Sequence, residues 1–103
     1  MAITIDVIDE AAYRFALLGD PTRLRILHGL MEHGELSVGA VANIAGTSRF
    51  NASAHLNRLA LGGLVARRRE ASTVYYRVDD ANLPAVCDWM CASVRRRAHA
   101  LTS

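Results

Sequence analysis

Six arginines, Arg49, Arg58, Arg67, Arg68, Arg69 and Arg77, fall within residues 47–78, where Glu70 is the single acid. That block carries a net charge of +5, whereas residues 1–46 sum to −3 and residues 79–103 to zero. A guanidinium is a planar five-donor fork that matches phosphate oxygens in pairs, and none of the twelve basic residues is lysine. A basic block inside an otherwise balanced chain points to a polyanion partner. A second constellation is Cys87 and Cys91, four residues apart. On a helix that spacing sets two side chains about 40° apart around the axis and about 6 Å along it, so both thiols can face one soft ion. If such a helix pairs with its copy across a two-fold axis, up to four thiols converge. The same residues read equally well as small buried hydrophobes, and the sequence leaves both readings open.

The remaining reactive side chains suggest less. His28 and His33 are five apart, a poor spacing for a shared metal, and read as surface or core residues. His99 follows Arg95, Arg96 and Arg97, a run that suits a solvated helix C-terminus and its dipole. There is no glycine-rich phosphate loop and no nucleophile elbow, and neither cysteine has an evident base beside it, so the expectation is a protein that is not an enzyme.

The elements that must position these groups follow from periodicity and turn residues. At 103 residues, 51% apolar and 21% charged, the chain is expected to form one domain with a real but marginal core, and a homodimer is the expected way to enlarge it. No apolar run approaches the roughly 18–20 residues of a membrane span, and residues 1–6 carry acid where a signal peptide carries base. Two close cysteines do not make a disulfide framework; a cytoplasmic protein with free thiols is expected. Ile5, Ile8, Ala12 and Phe15 predict a helix over 5–18 that ends at Gly19. Asp20 and Pro21 open a second helix that stops at Gly34, and Ser37 caps a short third one closed by Gly46. Thr47 and Ser48 open a fourth, with Ala52, Leu56 and Leu59 inward, broken by Gly62 and Gly63. The period then changes to two: strands over 64–69 and 73–78, with Val74, Tyr76 and Val78 on one face. Asp79 or Asp80 caps a last helix over about 81–100, striped by Leu83, Val86, Cys87, Met90 and Val94.

The fold class is therefore mainly α with a small β-hairpin, in the order α-α-α-α-β-β-α. A short helix joined by a tight turn to a longer one is helix-turn-helix geometry, in which the second helix offers its N-terminal side chains to a major groove. Its outward positions are expected to be Arg49, Asn51, Ser53, Ala54, His55 and Arg58, next to the cap Ser48, and these are types that read base edges or meet phosphate. The arginine-rich hairpin that follows, with Arg67, Arg68 and Arg69, is placed as a wing would be. Double-stranded DNA is the expected partner.

At these residues the chain resembles a known family. Leu18-Gly19-Asp20-Pro21-Thr22-Arg23-Leu24-Arg25-Ile26-Leu27 resembles the L-x-D-P-T-R-x-x-I-L opening of the ArsR/SmtB winged-helix repressors. Ser48, Ser53, His55, Leu56, Leu59 and Gly63-Leu64-Val65 resemble their recognition helix and its exit, and residues 67–78 resemble their wing. Two departures stand out: Ala71 replaces the wing-tip glycine, and Phe50 and Asn51 stand where smaller residues are common.

The resemblance implies a single winged helix-turn-helix domain over residues 1–103, dimerised through its first and last helices. It also implies a homodimeric repressor that binds a palindromic operator and is released by a metal ion or another inducer. The family's thiolate site on the third helix is not matched, because Ser37 and Gly39 occupy the cysteine positions. Its site on the last helix is matched only by Asp80, with Asn82, Ser93 and Arg96 where the other ligands would be. The inducer site expected in their place is Cys87 and Cys91, which suit As(III), Hg, Cd or Cu(I), or reactive sulfur and oxidants, with no cofactor required. The alternatives are a regulator that is constitutive or senses another effector, its cysteines being structural, and a winged-helix protein-interaction module.

Overall fold

The computed structural model describes residues 6–102. Ile5, assigned above to the first helix, and nearly all of the stretch compared with a signal peptide lie outside the described residues. Helix α1 spans Val7–Leu18, with Asp6 accepting the N–H groups of Ile8 and Asp9 at 3.0 and 3.2 Å. Helix α2 spans Pro21–His33. The segment between them is a two-way joint. Asp20 accepts the Arg23 N–H at 3.0 Å and so caps α2, while Arg23 Nε donates to the Leu17 carbonyl at 2.7 Å and closes the end of α1.

Strand β1, Leu36–Ser37, leads into α3, Val38–Ala45, whose first turn is capped by Ser37 Oγ accepting the Ala40 N–H at 3.2 Å. Gly46, at φ 67°, ends α3 in the left-handed conformation that glycine adopts without steric cost, and α4 spans Arg49–Leu61. Strands β2, Val65–Glu70, and β3, Thr73–Val78, form the hairpin, and α5 runs Leu83–Thr102. The antiparallel sheet has the order β1-β3-β2, with Leu36 opposite Tyr76 and Arg67 opposite the same tyrosine on the other side.

The expected order of helices and hairpin is present, with three differences. β1 was not anticipated, because two residues cannot display an alternation. β2 begins one residue later than expected: Leu64 gives its N–H to Leu59 and accepts that of Asp79, both at 3.0 Å, and so closes the hairpin base instead of extending it. α5 starts at Leu83 because Asp80 accepts the Asn82 N–H at 2.9 Å and holds residues 80–82 in a turn.

The core is built from the middle of the chain: Ile26, Leu27 and Leu30 of α2, Val41 of α3, Leu56 and Leu59 of α4, and Tyr76 of β3 are each at most 2% exposed. α1 adds Leu17 and α5 adds Leu83. Leu17 reaches the core directly over Gly62, where a Cβ would overlap its Cδ1 methyl, so any larger residue there displaces the Leu17 side chain. Arg14 ties α1 to the segment before α5 through Asp80, at 3.4 Å. Leu18 and Cys87 are half-buried against the core, and the rest of the apolar stripe of each terminal helix stays outside it.

Candidate nucleic-acid interface

Three residues, Gly46, Thr47 and Ser48, separate α3 from α4, and the Thr47 N–H returns to the Ala42 carbonyl at 3.0 Å, which fixes the turn. Ser48 Oγ accepts the Asn51 N–H at 3.1 Å. Ser48 is thus the N-cap of α4, which leaves the first-turn N–H groups and the positive helix end facing outward. Ala52, Leu56 and Leu59 are fully buried and define the inner side of α4.

Helical spacing then sorts the outward residues. Asn51, Ala54 and Arg58 are exposed, and Ser53 is half-buried on the edge. Arg49 lies on one flank with its guanidinium against Gly39 of α3, where a Cβ would come within 2.7 Å of Nη2. His55, expected outward, is half-buried on the other flank, with Nδ1 enclosed and without a hydrogen-bond partner among the described residues. The Asp20 carboxyl pKa sits below its ordinary value chiefly through the Arg23 N–H. The side opposite the core carries Ala54 together with Phe50, the departure noted above, which is 84% exposed, and Leu61, which is 82% exposed.

The wing separates its arginines. Arg68 Nη2 pairs with Glu35 Oε1 at 2.6 Å, Nη1 with Glu70 Oε2 at 3.2 Å, and the guanidinium lies 4.8 Å from the Tyr75 ring centre. Glu35, just before β1, is thereby held to β2, and its carboxyl lies below the usual value chiefly through that hydrogen bond. Strand alternation puts Arg67 and Arg69 on the opposite face, the one that carries Tyr76. The Tyr76 hydroxyl donates to Asn57 Oδ1 of α4 at 2.9 Å, so that face is turned to the helix. Arg68 is a clamp, whereas Arg67 and Arg69 are exposed on the side of α4. Sequence spacing could not separate them, because the partner of Arg68 lies 33 residues away. At the tip, Ala71 keeps a left-handed φ of 54° in place of glycine.

Cys87 is half-buried, Cys91 is exposed, and both are free thiols. Together they line two surface cavities. One, about 270 Å³, is walled by Phe15, Leu18, Leu24, Trp89 and Met90; the other, about 260 Å³, by His28, Met31, Asp88 and Arg95. Burial, followed by the neighbouring Cys91 and Asp88, pushes the Cys87 thiol pKa up. Among the described residues no three His, Cys, Asp or Glu side chains are grouped to hold a metal ion. His28 and His33 flank Glu32 on the surface, at 3.6 and 3.9 Å. No helix of the described residues is long and apolar enough to cross a membrane.

A helix-turn-helix domain model matches residues 18–68. The chain is 40% identical over 74 residues to a cadmium resistance transcriptional regulatory protein, a CadC homolog of Staphylococcus aureus, in a match covering 72% of this chain and 61% of that protein. The chain thus spans about three fifths of that relative's length. Its fold is similar to the homodimeric winged helix-turn-helix DNA-binding domain of Mycobacterium bovis, a possible ArsR-family transcriptional regulator. That likeness has a TM-score of 0.82 and 31% identity over 97% of this chain and 95% of that one. The antimony-specific transcriptional repressor AntR is also similar, with a TM-score of 0.82 and 26% identity over 96% of this chain and 89% of that one. The two-way Asp20/Arg23 joint, the capped α4 and the arginine-bearing wing thus stand within a shared architecture, and the chain belongs to the ArsR/SmtB family of winged helix-turn-helix transcriptional regulators.

Proposed function

We propose that the chain is a cytoplasmic, homodimeric repressor that binds a near-palindromic operator and releases it when an inducer engages Cys87 and Cys91. The observation that carries the DNA half is the shared orientation of α4 and the wing. A capped helix N-terminus with Arg49, Asn51, Ser53, Ala54 and Arg58 lies beside a hairpin face with Arg67 and Arg69, within the +5 block. In this reading Asn51 and Ser53 meet base edges. Arg49, Arg58, Arg67 and Arg69 meet phosphates, His55 and Ser48 hold the helix in place, and Arg68 stiffens the wing. The dimer rests on α1 and α5, where Phe15, Trp89 and Val94 are 66%, 63% and 61% exposed apolar side chains. The test is a mobility shift on the DNA upstream of the chain's own reading frame against random duplex of equal length. Equal affinity for both leaves only a nonspecific binder.

The inducer half is supported by the shared position of both thiols on two cavities beside α1 and α2. Two thiols four residues apart on one helix suit a soft metal or metalloid, among As(III), Hg, Cd and Cu(I), and the exposed Cys91 leaves sulfur or oxidant chemistry as the alternative. The relatives named for cadmium resistance and antimony fit that class. Release requires only that the ion bind the DNA-free arrangement more tightly, and about 1–3 kcal/mol of coupling lowers operator affinity roughly 5–150-fold. The Cys87→Ser, Cys91→Ser double variant is expected to keep operator binding and ignore the ion. If wild type and variant dissociate alike across a panel of soft ions, the cysteines are structural.

A further inference from the structure

We infer that Phe50 is a specificity-determining residue that reads the C5-methyl group of thymine in the operator's major groove, an inference that rests on the operator-binding reading above. Three observations carry it. Phe50 is the second residue of α4, in the turn whose N–H groups are left outward by the Ser48 cap. Its position lies opposite Ala52, Leu56 and Leu59, so it stands at the crest of the helix, flanked by Asn51 and by Ala54 one turn on. At 84% it is the most exposed large apolar side chain among the described residues.

What covers it follows from the charge around it. Arg49 and Arg58 lie on α4 and Arg67 and Arg69 on the wing face turned toward it, whereas a protein-binding aromatic patch is typically depleted of charge at its centre. Against a duplex, those arginines suit the phosphates on either side, and the crest between them meets the groove floor. The apolar group that a major groove presents there is the thymine methyl; a ring has no hydrogen bond to offer guanine, cytosine or adenine. Ala54, next along the crest, is small enough to let the backbone approach, so the ring projects beyond its neighbours.

The experiment selects the preferred duplex from a random library with the full chain. Each thymine of that duplex is then replaced by deoxyuridine, which removes only the methyl group. Wild type is expected to lose about three- to fivefold in affinity at one thymine of each half-site, the order of one buried methyl. Phe50→Ala, which leaves the core untouched, is expected to bind the thymine and uracil duplexes equally while retaining its affinity for random DNA. The inference is overturned if wild type binds every uracil duplex as tightly as the parent, or if Phe50→Ala keeps the same discrimination. If no sequence is enriched over random DNA, it is the operator reading that fails first, and the two failures are thereby told apart.

Discussion

The middle of the chain and its two terminal helices are built to different standards of completion. Between α2 and β3 the apolar side chains are closed against one another, the helix ends are capped by Asp20, Ser37 and Ser48, and the sheet is tied to α4 by Tyr76 and Asn57. α1 and α5 each place one side chain in that core, Leu17 and Leu83, and leave Ile8, Phe15, Trp89, Met90 and Val94 at least half exposed. The first region is finished within one copy and, apart from Phe50 and Leu61 on α4 and Ile44 on α3, presents mainly polar groups outward. The second is finished only by something apolar laid against it. The difference teaches that the two regions bind by different physics: fixed, paired side chains leave selected arginines free for phosphate, while unburied area drives association without directional demands.

The widest test of this contrast is to place a charge on the unfinished face. Trp89→Asp removes an aromatic whose burial is worth about 1.5–3 kcal/mol and forces a carboxylate out of water, so dimer dissociation is expected to rise by roughly a hundredfold or more. Sedimentation measures it, and operator affinity is expected to fall with it, whereas far-UV circular dichroism of the winged-helix core is expected to persist. A wild-type chain that sediments as a folded monomer at micromolar concentration breaks the comparison outright.

Within the finished region the sharper contrast is among the wing arginines. Arg67→Ala or Arg69→Ala is expected to weaken binding to all sequences alike and to flatten the salt dependence by roughly one unit, the signature of one lost phosphate contact. Arg68→Ala is expected to leave the slope where it was and instead to loosen β2 from Glu35 and Tyr75, seen as a lower melting temperature and faster amide exchange in β2. An Arg68 variant that flattens the slope as Arg67 does would remove the distinction between clamp and contact.

The same clamp sets a pH dependence. Glu35 has a folded pKa below its ordinary value of 4.5, so its contribution to stability is fully present above that value and is lost as pH falls through the depressed one. Thermal melts of wild type and Glu35→Gln are expected to converge in acid and to separate toward neutral pH. Curves that stay parallel throughout would show that the pairing does not persist in solution.

Legibility in the sequence followed how local the cause was. Helix boundaries were readable because Asp20, Ser37, Gly46 and Ser48 act on N–H and C=O groups within a few residues. The hairpin face of Val74, Tyr76 and Val78 was readable from alternation alone. What escaped depends on distant partners: Glu35 claims Arg68, Gly39 receives Arg49, and the two residues of β1 form a strand only because Tyr75 and Tyr76 are there to pair with them. His55, expected outward from its polar type, is half-buried, and Phe50, legible only as a departure from the family pattern, is fully outward; both places on α4 are set by where Ala52, Leu56 and Leu59 must point.

The smallest expected effect lies at the wing tip, where the finished region carries one local mismatch. Ala71 holds φ 54°, a conformation that costs an L-residue roughly 1–2 kcal/mol through the clash of its Cβ with the following carbonyl. Glycine removes that clash but adds freedom to the unfolded chain worth about 0.5–1 kcal/mol, so the two terms oppose and the first is the larger. Ala71→Gly is therefore expected to stabilise the domain by about 0.5–1 kcal/mol, a rise in melting midpoint of a few degrees at fixed protein concentration. Because Ala71 contributes no polar side chain, the salt slope of DNA binding is expected to remain that of wild type. A midpoint that falls would mean that the Ala71 methyl makes contacts worth more than its strain, and the tip would then belong with the packed, finished region after all.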